Sequence, residues 1–253
     1  MPRICKAVLG KKHGNFHPAK PREEFLRTMD QAQAYVLPSQ VRRIFAPATA
    51  FTTRIAEIGS SDDDTWSERL IRTKEKADGA LLHGTDTAVA IFNGDCPIIC
   101  LKQEDFAVIL HAGYRCLIRS DANEEGIIEA AMRHFDPLRA EALVFGGIGP
   151  CCWIPEPDKT EIWNPQLSRH PTILESCLSE TKYGGNRTVD LYKLANDLLC
   201  HAGIYQTRIT LEAQCTCCAK EGDAFKFWSH TRHENEGQTG EDGRNCSLIW
   251  LAP

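Results

Sequence analysis

The sequence predicts one mixed α+β domain built from stacked layers, and three observations carry that prediction. Short apolar runs bounded by Gly, Pro, Asn or Asp recur from Ala80 to the C-terminus and read as strands. Several segments carry helical periodicity with caps. Strands and helices alternate without the regular βα rhythm of a doubly wound sheet. At 253 residues, with 42% hydrophobic and 25% charged side chains, the chain can bury a substantial core. No internal repeat or linker divides residues 1–253, so a single domain is expected.

In chain order, Pro21–Tyr35 reads as a helix with proline near its first turn and Phe25, Met29 and Ala32 on one face. The acidic stretch from Gly59, with Asp62, Asp63 and Asp64, reads as a solvated loop leading to a short helix. Ala80–Cys100 alternates strand-like runs with turns, and Phe106–Leu110 is a further strand. A helix spans Asn123–Phe135 with Asn123 as its cap. Ala142–Trp153 is a strand entering a Gly-Pro turn, and Pro155 and Pro157 open an irregular stretch. Asp190 caps an amphipathic helix that Gly203 ends. Ile204–Leu211 and the closing CSLIWLA segment read as strands.

Composition narrows the function. A net charge of −5 without a basic stripe argues against nucleic acid as a partner. The N-terminus has no signal-peptide apolar region, and no apolar stretch approaches the roughly 20 residues that cross a bilayer. A cytoplasmic protein without membrane contact is therefore expected. The chain holds 12 cysteines, several of them adjacent or nearly so, which disfavours a disulfide scaffold. Cys215 and Cys218 make one CxxC pair, but no second pair follows, so no zinc ribbon is expected. Most of the cysteines are expected to be small buried hydrophobes.

The chemistry concentrates in NGDCPIICLKQEDFAVILHAGYR, Asn93–Arg115. Cys96 follows Asp95 directly, His111 comes fifteen residues later, and each ends a short apolar run. If the two runs are adjacent strands stopping at one edge, they bring a thiol and an imidazole together. That pair makes either a thiolate nucleophile with its base or half of a metal site, and the residues alone leave both open. Arg115 is either a guanidinium fork for phosphate or carboxylate or one half of a surface ion pair. The turn Gly146–Pro150 either presents amides to an anion or is simply tight; it lacks both nucleotide fingerprints. A polar Gly-rich loop near the end holds His230, Arg232, His233 and Arg244, as a surface excursion or a substrate lid.

Eight segments, in one order, resemble the laccase-domain or YfiH-like family, also called polyphenol oxidases and purine nucleoside phosphorylases. They are ADGALL, NGDCPIICL, HAGYR, GGIGPCCW, DLYKLANDLLCHAGI, QCTCC, FWSHTR and GRNCSLIWL, spanning about Ala77 to Leu251. The roughly 75 residues before them diverge. The resemblance implies an α/β/β/α sandwich grouped with Cys-His hydrolase-like proteins. It implies a pocket centred on one Cys and two His that bind zinc or a similar metal in several members, with Cys96 and His111 as two of them and Asp95 beside. It implies phosphorolysis of adenosine or inosine to free base and ribose 1-phosphate, with adenosine deamination in some members. Purine nucleoside and phosphate are then the partners, with Arg115, Arg232 and Arg244 for the anion. Copper fits poorly, because the chain has no HxH pairs.

One departure stands out. Phe51 lies where the family's upstream histidine belongs, in AFTTRIAEI, and leaves the ligand set incomplete. Three readings follow: a metal-free Cys-His pair, a site that recruits His83 as replacement ligand, or a non-catalytic binder. From the first comes a competing activity, a Cys-His amide hydrolase acting on cell-wall precursors.

Overall fold

The computed structural model describes residues 2–60, 63–118, 125–153, 170–180, 187–237 and 241–253. The first half runs β1 (Arg3–Leu9), α1 (Arg22–Val36), β2 (Arg43–Ala48), β3 (Ile55–Glu57), β4 (Asp63–Thr65), β5 (Leu70–Lys76), β6 (Gly79–His83) and β7 (Thr87–Asn93). Then come β8 (Ile98–Gln103), β9 (Phe106–His111), α2 (Tyr114–Leu117), α3 (Ile127–Met132), β10 (Glu141–Phe145), α4 (Pro171–Cys177), β11 (Leu178–Glu180) and β12 (Arg187–Val189). The last part is α5 (Leu191–His201), β13 (Ile209–Glu212), β14 (Lys220–Glu221), β15 (Ala224–Phe225), α6 (His230–Asn235) and β16 (Asn245–Ala252).

Among the described residues the strands form two six-stranded sheets, ordered β1-β16-β7-β2-β5-β4 and β13-β10-β8-β9-β6-β3, with two two-stranded antiparallel pairs besides. The central strands are apolar on both faces, as strands covered on both sides must be. Successive side chains alternate between destinations. Val89, Ile91, Ile249 and Leu251 of the first sheet meet Ile98, Cys100, Ala107, Ile109 and Phe145 of the second in an inner core. Ala88, Ala90, Phe92, Leu248 and Trp250 point the other way, onto Phe25 and Met29 of α1. Ile99, Leu101, Val108 and Leu110 likewise point outward, onto Leu191, Leu194, Leu198 and α3. Helix, sheet, sheet and helix are thus stacked in four layers, the expected α+β class and the α/β/β/α order.

Several sequence expectations change. The Ala88–Phe92 and Phe106–Leu110 runs are strands, but β7 and β9 lie in different sheets rather than side by side. The neighbour that matters is β8, whose Ile98 pairs with His111. Asp63–Thr65 is an edge strand and Leu70–Lys76 the strand beside it, where a loop and helix were expected. Trp66 anchors that turn, its ring edge-on to Phe25 at 5.7 Å and under the Arg72 guanidinium at 4.4 Å. Asn123, Asp62, Pro155 and Pro157 lie outside the described residues; α3 is instead preceded by Gly126, whose N–H donates to Glu129 Oε2 at 2.8 Å. Asp190 caps α5 as expected, its Oδ1 accepting from the N–H groups of Tyr192 and Lys193.

Candidate active site

His111 ends β9, and its N–H donates to the Asp78 carbonyl at 2.7 Å. Cys96 lies in the link from β7 to β8, two residues before the Ile98 that pairs with His111. The link is pinned by Asn93, whose side-chain amide donates to the carbonyls of Cys96 and Gly146 at 2.8 and 2.7 Å. Gly113 makes room for the thiol: a Cβ there would stand 3.1 Å from Cys96 Sγ and 2.8 Å from Phe51 Cε1. Cys96 and His111 therefore meet across the mouth of the β8–β9 pair, through β8 rather than through adjacency of the two apolar runs.

The residue that completes them is Asp78, directly before β6. Its side chain is buried, and Oδ1 lies 2.7 Å from His111 Nδ1. Oδ2 accepts from the Thr52 N–H at 2.6 Å, the Thr52 hydroxyl at 3.1 Å and the Ala50 N–H at 3.0 Å. Burial works against the Asp78 carboxylate, yet the bond to His111 and these donors outweigh it and hold its pKa below the usual value. Burial likewise opposes a charged His111. The pull of Cys96 and the bonds to Asp78, Cys116 and Cys96 prevail, placing its pKa well above 6.5. The balance favours the protonated imidazole. Asp78 was missed in the sequence although it sits in the ADGALL segment; an acid immediately before an apolar strand was the available signal.

Around this pair lies a cleft of about 660 Å³. Phe51, Tyr114 and Trp153 give it aromatic walls, and Arg115, Arg244, His17 and His230 give it cationic or titratable groups. Phe51 adopts φ 59°, a left-handed conformation that bulky side chains rarely take. Its ring centroid is 5.7 Å from that of His111 and 5.9 Å from the Arg115 guanidinium carbon. Arg244 Nη1 is bound to Asp242 Oδ1 at 2.5 Å while the side chain lines the cleft. Burial and the nearby Arg244 charge lower the pKa of His17.

Other expected residues fall elsewhere or play other parts. Asp95 lines the cleft, but its carboxylate accepts from Thr216 Oγ1 at 2.6 Å and the Thr231 N–H at 2.7 Å, which makes it a brace. Arg232 is buried away from the cleft, donating to the carbonyls of Cys217 at 2.5 Å and Phe227 at 2.6 Å, so it has no guanidinium face to offer an anion. His83 cannot replace a missing ligand. It pairs with Phe106 at the start of β9, whereas His111 ends that strand, roughly 16 Å away at about 3.3 Å per residue. The Gly146–Pro150 turn keeps its amides for the fold: Gly147 N–H donates to Tyr192 Oη and Ile148 N–H to the Asp95 carbonyl.

The model for the multi-copper polyphenol oxidoreductase laccase family matches residues 24–252. The chain belongs to this laccase-domain, YfiH-like family. Its match begins well upstream of the segments that carried the resemblance. No curated protein matches the sequence. Among solved structures, YlmD from Geobacillus stearothermophilus superposes with a TM-score of 0.72 at 18% identity, covering 99% of this chain and 92% of that one. The hypothetical protein YfiH of Bacillus licheniformis gives 0.71 at 18%, covering 94% and 85%. NMB0706 of Neisseria meningitidis gives 0.68 at 18%, covering 94% and 86%. At that identity the likeness shows the shared fold.

The donor set decides which metals the family site could take here. A Cys/His/Asp cluster exists: ligand atoms of Asp78, His111 and Cys116 lie within 4.8 Å of one another, all buried. Two of its members, Asp78 and His111, already bind each other. Phe51, at the mouth of the site, offers a ring and no lone pair. Cys96 and His111 alone fall short of the three protein ligands of a catalytic zinc. Multicopper chemistry needs several clustered imidazoles, and among the described residues the candidate clusters contain a single histidine. With Phe51 in place of a histidine the expected zinc ligand set is incomplete and copper lacks clustered imidazoles, while Asp78, His111 and Cys116 are the group among the described residues at this site that could hold a metal.

Proposed function

We propose that the cleft cleaves purine nucleosides with phosphate, giving free base and ribose 1-phosphate. The observation that carries this reading is His111, its Nδ1 held 2.7 Å from Asp78 Oδ1, lining a cleft that also holds Arg115 and Arg244. Glycosidic cleavage builds positive charge on the sugar and negative charge on the departing base, so it needs an acid near the base and an anion site near the sugar. Nδ1 of His111 is held by Asp78, which leaves Nε2 to give a proton to a purine ring nitrogen. A phosphate oxygen, held by the guanidinium groups, bonds to C1′ as the C1′–N9 bond breaks and its electron pair passes to the base. Phe51, Tyr114 and Trp153 supply apolar faces for the ring.

The test is chromatography of adenosine and inosine incubated with the protein, with and without phosphate. Phosphate-dependent release of adenine or hypoxanthine is expected, abolished in His111→Gln. Inosine formed from adenosine would reassign the cleft to deamination, and intact nucleosides would overturn the reading.

A second reading rests on one specific arrangement: thiol, imidazole and carboxylate in the order Cys96, His111, Asp78. That is the layout of a nucleophile, its base and the group orienting the base, as an amide hydrolase of cell-wall precursors would use. Iodoacetamide labelling selective for Cys96 and lost in His111→Ala, with no nucleoside cleavage, would favour it.

A further inference from the structure

The Cys-rich segments that the cleft does not use meet each other. β10 and β13 are parallel neighbours, with Phe145 opposite Glu212. The chain leaving the end of β10 turns through Gly146–Pro150 into Cys151 and Cys152, and the chain leaving β13 turns into Cys215–Cys218. Both cysteine pairs thus emerge from the same edge of adjacent strands. The sulfurs of Cys151, Cys152, Cys215 and Cys218 lie within 4.8 Å of one another, and none of the four is disulfide-bonded. The partner of the CxxC pair lies upstream, where a ribbon pattern would not place it.

We propose that these four cysteines form a structural zinc site. Cys151 Sγ and Cys218 Sγ are 3.7 Å apart. Four thiolates around zinc at about 2.3 Å put neighbouring sulfurs about 3.8 Å apart, whereas a disulfide needs about 2.05 Å. The backbone is built for this approach. Gly149 sits between the two turns, and a Cβ there would stand 3.3 Å from Cys215 Cβ and 3.4 Å from Cys151 Sγ. The two turns are also tied directly, Thr216 N–H donating to the Gly147 carbonyl at 3.0 Å. Without a cation, four thiols this close together stay protonated rather than carry four neighbouring negative charges. A divalent cation reverses that balance, the four thiols releasing their protons to solvent as they bind. Thiolate ligands select zinc or copper(I), and a closed tetrahedral set of four is the structural zinc arrangement.

The site stands behind the catalytic edge. The same Thr216 that the CxxC turn positions donates its hydroxyl to Asp95, the residue next to Cys96. Zinc here is a staple for that wall and takes no part in the reaction, so the assignment is independent of the nucleoside reading.

The test measures bound metal in protein purified under reducing conditions from zinc-supplemented cells. About one zinc per chain is expected in the unaltered protein and in Cys96→Ser, and close to none in the Cys215→Ser/Cys218→Ser double variant. Should the double variant not fold, cobalt titration of the unaltered protein decides. Tetrahedral tetrathiolate absorption, displaced by zinc and still present in Cys96→Ser, is expected. Absence of zinc, its retention in a folded double variant, uptake of copper(I) in place of zinc, or a Cys151–Cys218 disulfide in non-reducing peptide maps would each overturn the assignment.

Discussion

At the scale of single residues, the behaviour of His111 depends on a carboxylate it does not neighbour in sequence. Replacing Asp78 with Asn removes the charge on Nδ1 while keeping a side chain of the same shape. The His111 pKa should fall, followed by NMR of the ring protons, and turnover should drop by about a hundredfold or more. An unchanged His111 titration would remove Asp78 from the site. Gly113→Ala should cost about 1–3 kcal/mol, because its methyl meets both Phe51 and Cys96, and should slow alkylation of the thiol. Phe51 tests the site's divergence. Histidine tolerates the left-handed conformation better than phenylalanine, so Phe51→His should fold and add about one zinc equivalent at Cys96 and His111. Cys96 and His111 were legible because each ends an apolar run beside a glycine. Asp78 was not, since only the pairing of β6 with β9 brings it to His111, and Cys116 was not, since it reaches His111 from α2, a one-turn helix with no pattern of its own.

Among the elements, local signals held and pairing signals did not. The Asp190 cap could be read because its bonds are made within three residues; Asp190→Ala should lower stability by about 1 kcal/mol in denaturant unfolding. Tyr192, on the same helix, reaches across to the Gly147 N–H at 2.9 Å. Tyr192→Phe strands a buried donor and should cost about 1–3 kcal/mol. The edge strand Asp63–Thr65 was invisible to a pattern search because it has no apolar face to bury. Its charges suit an edge, where they discourage pairing with another chain. The parallel pairing of β10 with β13 left no trace in either strand, yet it gathers the four cysteines.

For the whole molecule, the layered class followed from apolar runs too short for helices and helices amphipathic on one face. What the runs do not say is which sheet each joins: two apolar runs of similar length suggest neighbours, whereas β7 and β9 belong to different sheets. The buried His111–Asp78 pair also shapes the response of the fold to pH. The His111 pKa is raised from 6.5, so its contribution is full below that value and is lost as pH rises through the folded pKa. The Asp78 pKa is lowered from 3.8, so its contribution is present above that value and is lost as pH falls through the folded pKa. The Tm advantage over Asp78→Asn should therefore be greatest between about pH 4 and 6.5 and should shrink toward alkaline pH. A difference that stays constant from about pH 6 into the alkaline range would refute the coupling.

The pairing of β1 with β16, from Arg3 opposite Ala252 to Leu9 opposite Cys246, also sets an order of events. β16 lies between β1 and β7 and is the last of the described strands in chain order. Until it emerges from the ribosome, β1 has no neighbour and β7 shows a bare apolar edge. The first sheet therefore cannot close until Asn245–Ala252 has been made, and a chain truncated before Asn245 is the form most exposed to proteases and to aggregation.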